Sequence, residues 1–88
     1  KAVIKGIAGA QFYLGYCYYN GLGVQQDYGK AIHWFKQATK KNHAASEYYV
    51  GLCYLNGHGV PQDAAEAKVS FRKALKQGYE EAKKLLHV

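Results

Sequence analysis

Residues 14–31 read LGYCYYNGLGVQQDYGKA, and residues 50–67 read VGLCYLNGHGVPQDAAEA. Shifted by 36 residues, the two stretches coincide at Gly15/Gly51, Cys17/Cys53, Tyr18/Tyr54, Asn20/Asn56, Gly21/Gly57, Gly23/Gly59, Val24/Val60, Asp27/Asp63 and Ala31/Ala67. The register continues through Phe35/Phe71 and Ala38/Ala74, and 14 of 36 positions agree between 10–45 and 46–81. It also reaches both ends: Ala2 aligns with Ala38 and Ala74, Gly6 with Gly78, Ala82 with Ala10 and Leu86 with Leu14. A fixed period of this size marks a stacked repeat architecture. The chain is therefore read as one continuous solenoid domain. Residues 1–9 are the end of a preceding repeat, 10–45 repeat one and 46–81 repeat two. Residues 82–88 are the start of a further repeat or a C-terminal capping helix.

Each repeat reads as two helices around a tight turn. Ala10, Leu14, Cys17 and Tyr18 share one face at helical spacing, which predicts helices over roughly 9–20 and 45–56. The turns follow at Asn20-Gly21-Leu22-Gly23 and Asn56-Gly57-His58-Gly59, where glycine reaches backbone angles that a Cβ penalises. Asp27 and Asp63 stand where a helix N-cap belongs, and Glu66 three residues beyond Asp63 suggests a capping box. The second helices run over roughly 28–41 and 64–77, with Ala31, Trp34, Phe35 and Ala38, then Ala67, Phe71, Ala74 and Leu75, on their inner face. Gly78 is the expected stop, and Glu80 and Glu81 favour the start of the last helix. A glycine inside a helix costs about 1 kcal/mol against alanine. Gly15 and Gly51 therefore predict a close helix–helix approach, with Ala31 and Ala38 as the opposing small residues.

Composition narrows the function. The chain has 88 residues, enough for a single small domain, with ten Gly, nine Tyr and one Pro. No apolar run is long enough to cross a membrane. The net charge of +6 is concentrated in the first half, which raises the reading of a basic surface for acidic partners, RNA or anionic membranes. Such a surface requires Lys5, Lys36, Lys40 and Lys41 to converge. A single Arg and no basic run longer than Lys40-Lys41 argue against nucleic acid. Gly21-Leu22-Gly23 lacks the third glycine and the preceding strand of a dinucleotide loop. The spacings of His33, His43, His58 and His87 fit no metal-ligand pattern, so no metal and no cofactor are expected; His58, on a turn, is expected to be solvated. Cys17 and Cys53 occupy one repeat position and are expected to be free, buried thiols. With two Ser, 46 and 70, one Thr and no carboxylate pair in a pocket-like context, no catalytic constellation can be argued, and the chain is read as a non-enzyme.

The pattern A-x3-LG-x2-Y-x2-G-x-GV-x2-D-x3-A-x2-WF-x2-A, from Ala10 to Ala38, resembles the Sel1-like repeat, a relative of the tetratricopeptide repeat. The resemblance covers essentially the whole chain. It implies an all-α, right-handed α-solenoid of antiparallel helix pairs with 36-residue repeats, and a scaffold that mediates protein–protein contacts. Repeat two departs from the pattern at Val50, Ala64 and Ser70, which suggests a thinner interface behind 64–77.

The relationship to tetratricopeptide repeats implies a partner-binding surface on the concave side, formed by the first helices. Transferred through the LG-x2-Y core, the binding positions are Phe12, Tyr16, Tyr19 and Asn20, then Tyr48, Leu52, Leu55 and Asn56, then Lys84 and Val88. Tyrosine supplies contact area at low entropy cost, and asparagine can hold a peptide backbone. The expected partner is a protein or peptide. Two other readings stay open. The same aromatics could fill the space between repeats, making the stretch a structural spacer or capping segment, or the basic surface could dominate. Residues 1–5 are too short to cover the first helix, so the N-terminal face is expected to expose apolar surface and to favour self-association.

Overall fold

Five helices follow one another in the computed structural model, which describes the backbone of residues 2–86 and the side chains of residues 6–86. They are α1 (Ala2–Asn20), α2 (Tyr28–Thr39), α3 (Ala44–Asn56), α4 (Ala64–Lys76) and α5 (Glu81–Leu85). Each helix packs on the next, α1 on α2, α2 on α3, α3 on α4 and α4 on α5. The result is an all-α solenoid of antiparallel pairs, α1/α2 and α3/α4, followed by the short helix α5. Its extents of 32 × 31 × 17 Å are those of two helix layers.

The residues that repeat in sequence are the residues that build the turns. Gly21 and Gly57 take left-handed angles, φ 67° and 69°. The next amides, Leu22 and His58, donate back to the carbonyls of Cys17 and Cys53, both at 2.8 Å. This closes the helix ends in the manner of a Schellman turn. The Asn20 and Asn56 side-chain amides donate to Tyr16 and Leu52 carbonyls one turn earlier, and the Gln26 and Gln62 amides donate to Tyr19 and Leu55. Asp27 and Asp63 then cap α2 and α4, accepting from Lys30 and Glu66 amides at 3.0 and 3.1 Å. The capping box at Asp63/Glu66 does not close. Its return arm needs the Asp63 amide, and that amide donates to the Tyr54 carbonyl at 2.8 Å. The equivalent Asp27 amide donates to Tyr18, so the connector is fastened to the preceding helix.

The core has two clusters. Ala31, Ile32, Phe35, Val50 and Cys53 form the first, and Ala67, Phe71, Ala74 and Ala82 the second. The first cluster belongs to both repeats, because Val50 and Cys53 of α3 pack on α2. The close approach expected at the mid-helix glycines is present: Ala31 does oppose Gly15, its carbonyl oxygen 3.0 Å from the Cβ position, but the nearest group at both glycines is a ring. A Cβ on Gly15 would stand 2.7 Å from the Phe35 ring, and one on Gly51 2.5 Å from that of Phe71. Phe35 and Phe71 are fully buried, so each phenylalanine fills the notch left by the glycine opposite.

Two local expectations differ from the structure. The helix expected from about residue 9 begins at Ala2, with no turn at Gly6. Gly6 stays helical, whereas Asn42 and Gly78 at the same repeat position take φ 59° and 93°. Cys17 is only half-buried while Cys53 is fully buried, and both are free thiols. Cys53 packs with Ala31, Ile32 and Phe35 of α2 in the first core cluster, and Cys17 belongs to neither cluster.

Candidate partner-binding face

A cluster of rings joins α1 and α3. Tyr49 sits at its centre, 5.4 Å from Phe12, 5.9 Å from Tyr16, 5.8 Å from Tyr19 and 5.2 Å from Phe35, mostly edge-on. Edge-to-face contact between rings at these separations is favourable beyond the area buried. Phe12, Tyr16 and Tyr19 are therefore half-buried at the junction of the two repeats. They do not form the freely exposed patch that the sequence suggested.

The binding candidates of repeat two are likewise half-buried. Tyr48 lies 5.7 Å from Phe71 and 5.0 Å from Tyr79, and Leu52 and Leu55 pack against the second core cluster. Asn20 and Asn56 are exposed, with their NH2 groups donating to carbonyls of their own helices. Lys84 is exposed and pairs with Glu81 at 3.9 Å, an arrangement of little energetic weight at the surface. Val88 and His87 lie outside the described residues.

Three residues central to this face escaped the sequence reading. Tyr49 shares its repeat position with Tyr13, and that identity was the available signal. The other two are a pair. The His58 ring is stacked on Tyr28 at 4.0 Å and 4°, and its Nδ1 lies 2.9 Å from the Tyr19 hydroxyl. His58 is thus half-buried in the junction, contrary to the solvated position expected on a turn. Its loop presses close against α2: a Cβ on Gly59 would stand 2.6 Å from the Tyr28 carbonyl oxygen.

The electrostatics are those of a packed joint. Burial pushes the Tyr19 phenol up to about 12, helped by Cys53 and the neighbouring tyrosines. Burial also pushes the Cys53 thiol up to about 12, against a small opposing effect of Lys36, so this sulfur stays protonated and inert. His43 caps α3, its Nδ1 accepting from the Ser46 amide at 3.3 Å beside the Ser46 hydroxyl at 2.8 Å, and its ring packs on Phe12 at 5.1 Å. Burial lowers its pKa. Among the described residues no three His, Cys, Asp or Glu side chains converge to hold a metal ion, and no helix is long and apolar enough to cross a membrane. Two of the lysines of the basic-surface reading are engaged on different helices. Lys36 donates to the Tyr54 hydroxyl of α3 at 3.1 Å, Lys41 donates to Gln11 of α1 at 3.2 Å, and the Lys5 side chain lies outside the described residues.

Comparison with known proteins places these features in a family. The family model described as Sel1 repeat matches residues 8–43 and 44–79. The fold is similar to that of a Sel1 repeat protein from Oxalobacter formigenes, with TM-score 0.87 and 32% identity over 90% of this chain and 32% of that one. A protective antigen of uropathogenic Escherichia coli displaying an SLR fold gives TM-score 0.86 and 40% identity over 93% and 18%. Cysteine rich protein B of Helicobacter pylori gives TM-score 0.83 and 29% identity over 90% and 59%. The chain thus spans less than two thirds of each of these proteins. No curated protein matches it by sequence.

Proposed function

The chain belongs to the Sel1 repeat family, a family of protein-interaction scaffolds, and from that premise we propose that it binds a peptide or small domain along the face formed by α1 and α3. The observation that carries this reading is the placement of Tyr16, Tyr49 and Leu52, half-exposed on adjacent first helices, between the exposed amides of Asn20 and Asn56. Rings held by the ring cluster are ordered before binding, so a partner loses little additional freedom on docking. The two asparagine side-chain oxygens, one repeat apart, supply acceptors for a partner's backbone N–H groups. Lys84 extends the face at the α5 end. Tyr48 and Leu55 support it from beneath, and Phe12 and Tyr19 hold its two sides together.

The half-burial of Phe12 and Tyr19 favours one alternative, a spacer in which the rings serve the junction only. Peptides selected on the immobilised chain from a random display library separate the two. Binding to this face predicts that Tyr16→Ala with Asn56→Ala weakens the selected peptide at least tenfold while the helical signal and melting temperature hold. A spacer predicts unchanged affinity, or no selectable peptide.

A further inference from the structure

Asn20 and Asn56 are each followed by a glycine, Gly21 and Gly57. Asparagine before glycine is the pair most open to deamidation, because no Cβ on the following residue obstructs its backbone nitrogen. Locally the two pairs are nearly identical. Both asparagines and both glycines are exposed, and the glycines take φ 67° and 69°. Each asparagine NH2 donates to the carbonyl one turn earlier at 3.1 Å. The amides after the glycines, Leu22 and His58, donate to Cys17 and Cys53 at 2.8 Å. The Gln26 and Gln62 side chains and the Asp27 and Asp63 amides fasten both connectors to matching positions of the preceding helix.

The tertiary cover differs. After Asn56, the His58 ring is stacked on Tyr28 at 4.0 Å and its Nδ1 lies 2.9 Å from the Tyr19 hydroxyl. Gly59 is pressed on the Tyr28 carbonyl, and Val60 packs against the first core cluster. After Asn20, Leu22 and Val24 are 47% and 41% exposed, and Gly23 has nothing within 4 Å of its Cβ position. Attack by the glycine nitrogen on the asparagine side chain requires the helix end to open. The side chain is tied to its own helix, and in repeat two the Gly57 amide itself donates to the Cys53 carbonyl. Opening the second turn must also break the His58 stack and its hydrogen bond, and each adds to the cost. The first turn opens without that cost.

We propose that Asn20 is a site of deamidation and that the junction between the repeats shields Asn56 from the same reaction. The deprotonated Gly21 nitrogen attacks Asn20 Cγ and forms a C–N bond. The side-chain nitrogen takes a proton from water and leaves as ammonia, which gives a cyclic succinimide. Water then opens the ring. Cleavage between the ring nitrogen and Cγ gives aspartate. Cleavage between that nitrogen and the backbone carbonyl gives isoaspartate, whose main chain runs through Cβ and Cγ. One water is consumed and one ammonia released for each site converted. Either product puts a carboxylate where an NH2 donated to the Tyr16 carbonyl, at the C-terminal end of α1, where the helix dipole opposes negative charge. Isoaspartate also lengthens the main chain within the turn that Gly21 closes. The reaction does not rest on the binding reading, although Asn20 belongs to that face.

The test incubates the folded chain in mildly alkaline buffer and follows each asparagine by peptide mass mapping, with the same chain in urea as the reference. The proposal predicts similar rates at the two pairs in urea. In the folded chain it predicts that Asn20 reacts about tenfold or more faster than Asn56, because local opening sets the rate. Amide exchange reads the opening directly and is expected to be faster at Leu22 than at His58 by a similar factor. His58→Ala removes the stack and the hydrogen bond, and is expected to raise the Asn56 rate severalfold at an unchanged Asn20 rate. Equal rates in the folded chain, a faster Asn56, or no reaction at either pair while both react in urea overturns the proposal. So does an Asn56 rate that His58→Ala leaves unchanged, or a Leu22 amide as protected as that of His58.

Discussion

Phe35 and Phe71 occupy space that exists only because Gly15 and Gly51 have no side chain. Gly51→Ala therefore sets about 1 kcal/mol of gained helix propensity against a methyl group forced into a fully buried ring. Overpacking of this kind costs roughly 1–3 kcal/mol, so the variant is destabilised, as a lower urea midpoint will register. The glycines were legible in the sequence as a close approach. The rings opposite them were not, because spacing shows which residues share a face and not how far a ring reaches across. His58 was illegible for a related reason: its partners Tyr28 and Tyr19 lie a repeat earlier, and only the fold brings them together. His43 makes a pH prediction. Its folded pKa lies below the ordinary 6.5 because burial disfavours the charged ring. Its contribution to stability is then complete above about pH 6.5 and is lost as pH falls below that toward the folded value. Half-exposure keeps the effect small. Burial raises the pKa of Glu47, partly offset by Lys73, which gives a trend of opposite sign nearer the carboxylate range. The informative comparison is with His43→Asn, which keeps a capping acceptor and flattens the loss between pH 7 and 5.5 in thermal melts.

At the scale of elements, helix ends were read more accurately than helix beginnings at the open end. Asp27 and Asp63 cap α2 and α4 as their positions implied, because a cap depends on local chemistry alone. Asp63→Ala is expected to cost about 1 kcal/mol, measurable as a lowered midpoint, and Asp63→Asn much less. The capping box was misread because Asp63's amide is engaged by Tyr54, a residue of the preceding helix that no local motif includes. The start of α1 was misread because the repeat register places Gly6 with Asn42 and Gly78, which take positive φ, whereas the helix runs through Gly6.

At the scale of the molecule, the period of 36 made the architecture legible, since stacked helix pairs are what such a period encodes. The face was only partly legible. The first helices do carry the candidate residues, but helical spacing could not separate rings that face solvent from rings that face the next repeat. The ring contacts around Tyr49 predict that the two repeats unfold as one cooperative unit. Trp34, the chain's one tryptophan, reports on repeat one, and the helical signal reports on both. The two probes are expected to coincide in urea for the native chain. Tyr49→Ala is expected to pull them apart by loosening the junction.

The most direct test of the central claim, that the α1/α3 face is the partner surface, is amide chemical-shift mapping of the folded chain with a selected peptide bound. The account predicts the largest shifts at Tyr16, Asn20, Tyr49, Leu52 and Asn56. Shifts confined to the exposed residues of the second helices, such as His33, Val69 and Arg72, would contradict it.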